Sequence, residues 1–226
     1  EELEAFVDAN ARYVNSVRKR DTEKLRLCPG SHWLSDGLWT KSIEHHPLNL
    51  DIGAGMGRFL LGEAEKHPER FYLGIDPDYQ CARKVLEKLS RHESLNRPLP
   101  NVRFHYGSVY DSLEEMPEKC LFRIYLNYPD PWFKKRHKRR RIVSPLLFDA
   151  LKPHLLEGSE IFIQTDDTEY AEFIGSILAG LTGFQITENA NPLFGELTPT
   201  LYQEKAAARG QPRFCFHLRY SSKPCA

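Results

Sequence analysis

The chain has 226 residues, 41% hydrophobic and 27% charged. It can therefore fill a core without a metal or a disulfide framework, and it is not a disordered, collagen-like or low-complexity chain. Its 31 Lys and Arg balance 31 Asp and Glu, which argues against general adhesion to polyanions, and no apolar stretch approaches the roughly 18 residues a membrane helix needs, so no membrane partner is expected.

In chain order, the first ten residues are acidic and amphipathic and do not read as a signal peptide. The chain does not start with Met, which leaves a longer natural N-terminus open. Leu3, Phe6, Val7, Tyr13, Val14 and Val17 form an apolar stripe that predicts a packing helix over 1–20. Pro29, Gly30 and Gly37 make 21–41 irregular. From Pro47 the pattern alternates. Strands are expected at 48–52, 71–75, 102–106, 122–128 and 160–164, with helices at 58–66, 79–91 and 169–181. Ser144 and Pro145 predict an N-cap and first-turn proline for a further helix, running to about Leu156 and ended by Gly158. Late strands are expected at 184–188 and 214–220, with no helix between them.

This order predicts an α/β fold: a mostly parallel central sheet of about seven strands, helices on both faces, and an antiparallel edge. The expected organisation is one domain over 1–226, with an N-terminal helix and irregular extension at 1–46 and a core at 47–220. The five cysteines (Cys28, Cys81, Cys120, Cys215, Cys225) are odd in number and form no C-x-x-C pair. A reducing cytoplasm is therefore the expected location. The nine histidines show no metal-ligand spacing, so no metal is expected.

The first strand hands over to its helix through Leu50-Asp51-Ile52-Gly53-Ala54-Gly55-Met56-Gly57. Glycines there allow a tight turn and close approach of backbone to ligand. Asp76, closing the second strand about 20 residues on, is placed to take the two hydroxyls of a ribose. An adenosine-containing ligand follows, and two kinds fit. A dinucleotide prefers G-x-G-x-x-G, and its pyrophosphate would be repelled by Asp51. The sulfonium and ammonium of S-adenosylmethionine would be attracted by Asp51, and this second ligand is favoured.

After the fourth strand comes Asn127-Tyr128-Pro129-Asp130-Pro131-Trp132. Two prolines hold Asp130 with little freedom at the same end of the sheet. A rigid acid beside an aromatic suits a planar base, by hydrogen bonds to its N–H groups and by stacking. The next segment, Lys134-Lys135-Arg136-His137-Lys138-Arg139-Arg140-Arg141, places seven permanent cations in eight residues, a local footprint for an anionic partner.

These three segments together resemble the bacterial tRNA (guanine-N7-)-methyltransferases, over about 51–220. The resemblance implies a Rossmann-like class I methyltransferase that uses S-adenosylmethionine and methylates N7 of a guanosine in the tRNA variable loop, as a monomer or homodimer. It places Asp51, Gly53, Gly55, Gly57, Asp76, Ser108 and Asp130 at the cofactor, with Asp130 as the catalytic residue. Ser108 stands where the family usually has an aspartate, and Asp111 competes for that role. Lys134, Asp166 and the segment Thr200-Leu201-Tyr202-Gln203 fall on substrate positions, Gln203 replacing the usual glutamate. Arg136, His137, Lys138, Arg139, Arg140 and Arg141 are expected to bind RNA. Two rival readings remain at this point: a methyltransferase for small molecules, which leaves the basic run idle, and a non-catalytic RNA-binding subunit, against which the intact Asp51, Asp76 and Asp130 speak.

Overall fold

The computed structural model describes residues 46–187 and 190–222. The expected helix at 1–20, the irregular stretch at 21–41 and the last residue of the expected strand 184–188 lie outside the described residues.

The described elements are β1 (Leu48–Ile52), α1 (Arg58–Lys66), β2 (Phe71–Asp76), α2 (Tyr79–Ser94), β3 (Val102–Tyr106), α3 (Val109–Glu114), β4 (Leu121–Asn127), α4 (Pro145–Leu151), β5 (Leu155–Thr165), α5 (Thr168–Ala179), β6 (Phe184–Ile186), α6 (Leu201–Ala208) and β7 (Phe214–Tyr220). The strands form one sheet in the order β3-β2-β1-β4-β5-β7-β6. β1 to β5 pair in parallel, while β7 runs antiparallel to both β5 and β6. The antiparallel pairing thus lies at the β6 edge of the sheet, as the sequence predicts.

Alternation along the strands divides the core into layers. Leu48, Leu50, Ile52, Ile124, Leu126, Ile161 and Ile163 pack with residues of α3, α4 and α5. Tyr72 and Phe104 join Leu60, Leu61 and Ala64 of α1 and Ala82 and Val85 of α2. Tyr125 and Phe162 meet Phe59 and Phe194.

Three local expectations are corrected. The helix capped by Ser144 ends at Leu151 and passes into a 3-10 turn, Lys152–His154. Pro153 has no N–H to continue the helical ladder. Gly158 ends no helix. It sits inside β5 at φ +80°, where the register against β4 jumps from Leu121 opposite Leu155 to Arg123 opposite Glu160. The Ser159 hydroxyl contacts both the Leu121 and Leu156 carbonyls at 2.7 Å across that irregularity. Between β6 and β7, where no helix is expected, lie a 3-10 turn, Asn191–Phe194, and α6. α3, between β3 and β4, is likewise absent from the sequence reading.

Candidate active site

β1 lies between β2 and β4: the chain leaves β1 towards β2 and β3, then crosses back to β4 on the other side, and this reversal opens a crevice at the strands' carboxyl ends. Both motif-bearing loops end there, one after β1 and one after β4. Gly53, Gly55 and Gly57 all have positive φ, at 75°, 53° and 72°. A Cβ at Gly53 or Gly55 would meet nothing within 4 Å, whereas at Gly57 it would strike Val85 Cγ2 at 2.8 Å. The first two therefore border open crevice, and the third lets the loop press onto α2.

Asp51, 2% exposed, is sealed in the sheet, and neither carboxylate oxygen has a well-formed hydrogen bond. Burial first, and the Asp76 and Glu63 charges with it, push its pKa from 3.8 to about 8; the Asn127 amide opposes them. Asp76 is held by backbone, accepting at 2.8 Å from Gly55 N–H and at 2.8 Å from Asp78 N–H. Burial raises its pKa, and the nearby Asp130 charge adds to the rise. Asp76 is thus within electrostatic reach of both Asp51 and Asp130. A crevice with three acids and an uncompensated buried carboxylate fits a cationic ligand. The chemistry of these residues fits S-adenosylmethionine: a buried acid for a positive charge, a second acid held by backbone for hydroxyls, and open backbone at Gly53 and Gly55 between them.

Ser108 caps α3, its Oγ accepting from Tyr110 N–H at 3.2 Å. Asp111 lies in the first turn of the same helix. Both stand at the carboxyl end of β3, beside the strand that ends in Asp76.

Asp130 is exposed, and its turn is strained. Tyr128 and Trp132, on either side of Pro129-Asp130-Pro131, adopt φ of 51° and 50°. Such values cost non-glycine residues on the order of 1–3 kcal/mol each and persist only where the surroundings enforce them. Arg141 supplies the enforcement. It is 2% exposed, donates from Nε to the Pro131 carbonyl at 2.8 Å, and pairs through Nη2 with Glu169 at 3.1 Å. Its guanidinium lies 4.8 Å from the Tyr170 ring centre and 4.6 Å from that of Phe173. Arg141 is therefore withdrawn from the expected RNA-binding set: it is a buried brace under the turn. Trp132 is half-buried, with Arg140 over its ring at 4.9 Å and His137 at its edge at 5.7 Å. Its ring holds the basic segment in place.

That segment forms a 3-10 helix, Lys135–Arg140. Its period of three puts Arg136 and Arg139 on one face, and both are exposed, as are Lys134 and Lys135. Lys138 pairs with Glu169. Burial first, then the Arg140, Arg136, Lys134 and Arg139 charges, lower the His137 pKa.

The insertion between β6 and β7 is tied back over α1. Lys66 donates to the Glu196 carbonyl, Arg58 pairs with Glu204, and Glu63 Oε1 accepts from the Thr198 N–H and hydroxyl, each at 2.8 Å. Thr200 then caps α6 by accepting from Gln203 N–H at 2.9 Å, so its hydroxyl oxygen already has a structural task. Leu201 and Gln203 are half-buried, and Tyr202 is 66% exposed. The Tyr202 ring lies nearly parallel to Tyr128, centres 6.3 Å apart. Asp166 and Arg213 are close enough to Tyr128 to act on its phenol with opposite sign. Asp167, not Asp166, caps α5, accepting from Tyr170 N–H at 2.7 Å.

The sequence reading missed Asn127, Gln164 and Arg213. A signal was present: Asn127 and Gln164 are polar at the crevice end of apolar strands, and Arg213 immediately precedes a third.

Among the described residues no group of three or more His, Cys, Asp and Glu is placed to hold a metal ion, and no helix is long and apolar enough to cross a membrane.

A sheet of this order, with its crevice at the strands' carboxyl ends, is the α/β fold of the class I methyltransferases. The fold matches the solved 16S rRNA methyltransferase KamB at a TM-score of 0.59, with 13% identity, over 82% of this chain and 94% of that one. A family model described as "Putative methyltransferase" matches residues 45–216. The tRNA (guanine-N(7)-)-methyltransferase of Streptococcus mutans is 34% identical over 183 residues, 77% of this chain and 82% of that protein. The protein of that name from Synechococcus elongatus is 40% identical over 127 residues, 54% of this chain and 57% of its own length. The chain belongs to the tRNA (guanine-N(7)-)-methyltransferase family, although it spans less than two thirds of several relatives, including the Synechococcus elongatus protein.

Proposed function

We propose that the chain transfers the methyl group of S-adenosylmethionine to N7 of a guanosine in the variable loop of tRNA. The observation that carries this reading is the placement of two opposite sites on one crevice. A buried, unpaired Asp51 beside Asp76 lies on one side, and a strained, braced Asp130 turn opens onto an exposed basic helix on the other. S-adenosylmethionine supplies an electrophilic methyl on sulfur.

Guanine N7 carries a free lone pair at neutral pH, so no side chain has to remove a proton before attack. The chain's contribution is orientation and charge. Asp51 and Asp76 hold the cofactor's methionine and ribose ends. Ser108 or Asp111 stands at the adenine end. Asp130 accepts from the guanine N1–H and N2–H edge and offsets the positive charge that develops on the ring as the N7–C bond forms and the methyl–sulfur bond breaks, its electron pair staying on the departing thioether sulfur. The parallel Tyr128 and Tyr202 rings offer a stacking surface for the base. Gln203 and Asp166 border that surface. Lys134, Lys135, Arg136 and Arg139 meet backbone phosphates, with His137, Lys138 and Arg140 behind them. We read 47–220 as one catalytic unit working in the cytoplasm, a location that the free Cys81, Cys120 and Cys215 support.

The test is incubation with labelled S-adenosylmethionine and unmodified tRNA, followed by nucleoside analysis. Label in 7-methylguanosine from the variable loop is expected. Label in another nucleoside, or none in tRNA, overturns the reading.

A further inference from the structure

Three side chains that the readings above leave unused form a continuous chain across the crevice end of the sheet. Arg213 donates from Nε to Gln164 Oε1 at 3.1 Å. Gln164, 1% exposed near the end of β5, donates from Nε2 to Asn127 Oδ1 at 2.6 Å. Asn127 is the last residue of β4, and its Nδ2 is shielded from solvent without a well-formed bond of its own. Next to it lies Asp51, whose two oxygens are equally shielded and equally unsatisfied.

The polarity of this chain is forced. A guanidinium only donates. Gln164 must therefore turn its oxygen to Arg213 and its NH2 to Asn127. Asn127 must in turn give its oxygen to Gln164, which leaves only its NH2 for Asp51. An isolated amide is free to flip and offer either end; here Arg213, three strands away, decides which end Asp51 sees. Arg213 is itself fixed by a contact from Nη2 to the Phe194 carbonyl at 3.5 Å and by its place 5.5 Å from the Phe194 ring centre.

We propose that Arg213, Gln164 and Asn127 are positioning residues that aim an amide N–H at Asp51 and hold that carboxylate ready for the cationic methionine end of S-adenosylmethionine. This rests on the cofactor reading above. The donor is needed because the other charged groups acting on Asp51, Asp76 at the end of β2 and Glu63 on α1, both oppose its ionisation, as does its burial. Asn127 is the one neighbour that acts the other way.

The test compares Arg213→Leu, which removes the donor, with Arg213→Lys, which keeps a donor-only group at that end. Affinity for S-adenosylmethionine is measured by calorimetry between pH 6 and 9 on each folded protein, with the melting temperature of the ligand-free form alongside. We expect Arg213→Leu to bind about five- to tenfold more weakly at pH 7, the net scale of one ordinary hydrogen bond. The pH at which its affinity levels off should move up, and Arg213→Lys should restore most of both. Wild-type affinity and pH profile in Arg213→Leu overturn the inference, as does a Lys variant as weak as the Leu variant, which would assign the loss to packing on Phe194. If Arg213→Leu does not fold, Gln164→Leu takes its place with the same expectations. A wild-type chain that binds no S-adenosylmethionine overturns the cofactor reading itself and this inference with it.

Discussion

Asp51 and Asp130 are both aspartates at the carboxyl ends of neighbouring strands, yet they are prepared by different means. Asp51 belongs to β1, is surrounded by core and has its charge governed by burial and by Asp76, Glu63 and Asn127. Asp130 stands in solvent on a turn whose flanking residues adopt strained backbone, and its place depends on the Arg141 brace below. The contrast follows from what each side has to bind. On the proposed function, a cationic cofactor is matched in a desolvated pocket, where each charge counts for more, whereas a tRNA cannot enter a core, so an acid proposed to meet it has to be exposed and held by backbone rather than by walls.

The largest effect should come from removing the exposed acid. Asp130→Ala is expected to lower kcat and kcat/KM for tRNA together by about 10² to 10³, with melting temperature and tRNA affinity nearly unchanged, since phosphate contacts dominate that affinity. Single-turnover rates and thermal melts on one preparation check it. A folded variant with wild-type rate would make Asp130 a simple turn residue.

Arg141→Ala is expected to cost about 3 kcal/mol of stability, because it orphans the Pro131 carbonyl and empties a space beside Tyr170 and Phe173. In a chain of this size that is a fall of about 6–12 °C in melting temperature. Arg139→Ala, two residues away but exposed, should leave the melt alone. Equal melts for the two variants would erase the distinction between brace and binding face.

On the cofactor side, Asp76→Ala should weaken S-adenosylmethionine more than tenfold through loss of hydrogen bonds from the ribose, read by calorimetry. Asp51 gives a pH signature. Its pKa rises from 3.8 to about 8 on folding, so the neutral form is favoured in the ligand-free fold. Its contribution to stability is fully present below about pH 4 and is lost as pH rises through about 8. A bound cation should drive its ionisation, so binding at pH 7 should release up to about 0.9 proton, and Asp51→Asn should abolish the release. Calorimetry in buffers of different ionisation enthalpy measures it; no release in the wild type would mean that Asp51 is already ionised.

The smallest effect is spread over the basic helix. Replacing Arg136 and Arg139 together by alanine should flatten the dependence of log K on log salt for tRNA by about 0.7 to 0.9 per lost phosphate contact. An unchanged slope would show the helix to be a solvated surface.

Much of this site was legible in the residues because its parts obey local rules. The strand at 48–52, the helix at 58–66, the strand at 102–106 and the strand at 214–220 have the predicted bounds, since apolar period and glycine breaks act over a few residues. Ser144 was readable as a cap and Pro145 as a first-turn proline for the same reason. Gly158 and Pro153 misled the reading together: a glycine after an apolar run signals a helix end, but here the proline had already ended the helix and the glycine serves a register shift against β4. α6 escaped because its amphipathic pattern is weak, and contacts to α1 through Thr198 and Glu204 support its position.

The sequence alone determined the alternation of strands and helices, the glycine turn after β1, the proline-locked acid after β4 and the crowding of cations behind it. All of these depend on backbone preference, side-chain period or charge density along the chain. The tertiary structure alone decided that one arginine of the basic run points inward, that Asp51 is buried beside Asp76 and Glu63, and that Arg213, Gln164 and Asn127 join in one hydrogen-bonded chain. Burial, through-space charge and hydrogen-bond polarity belong to residues far apart in sequence, and only folding brings their atoms within reach.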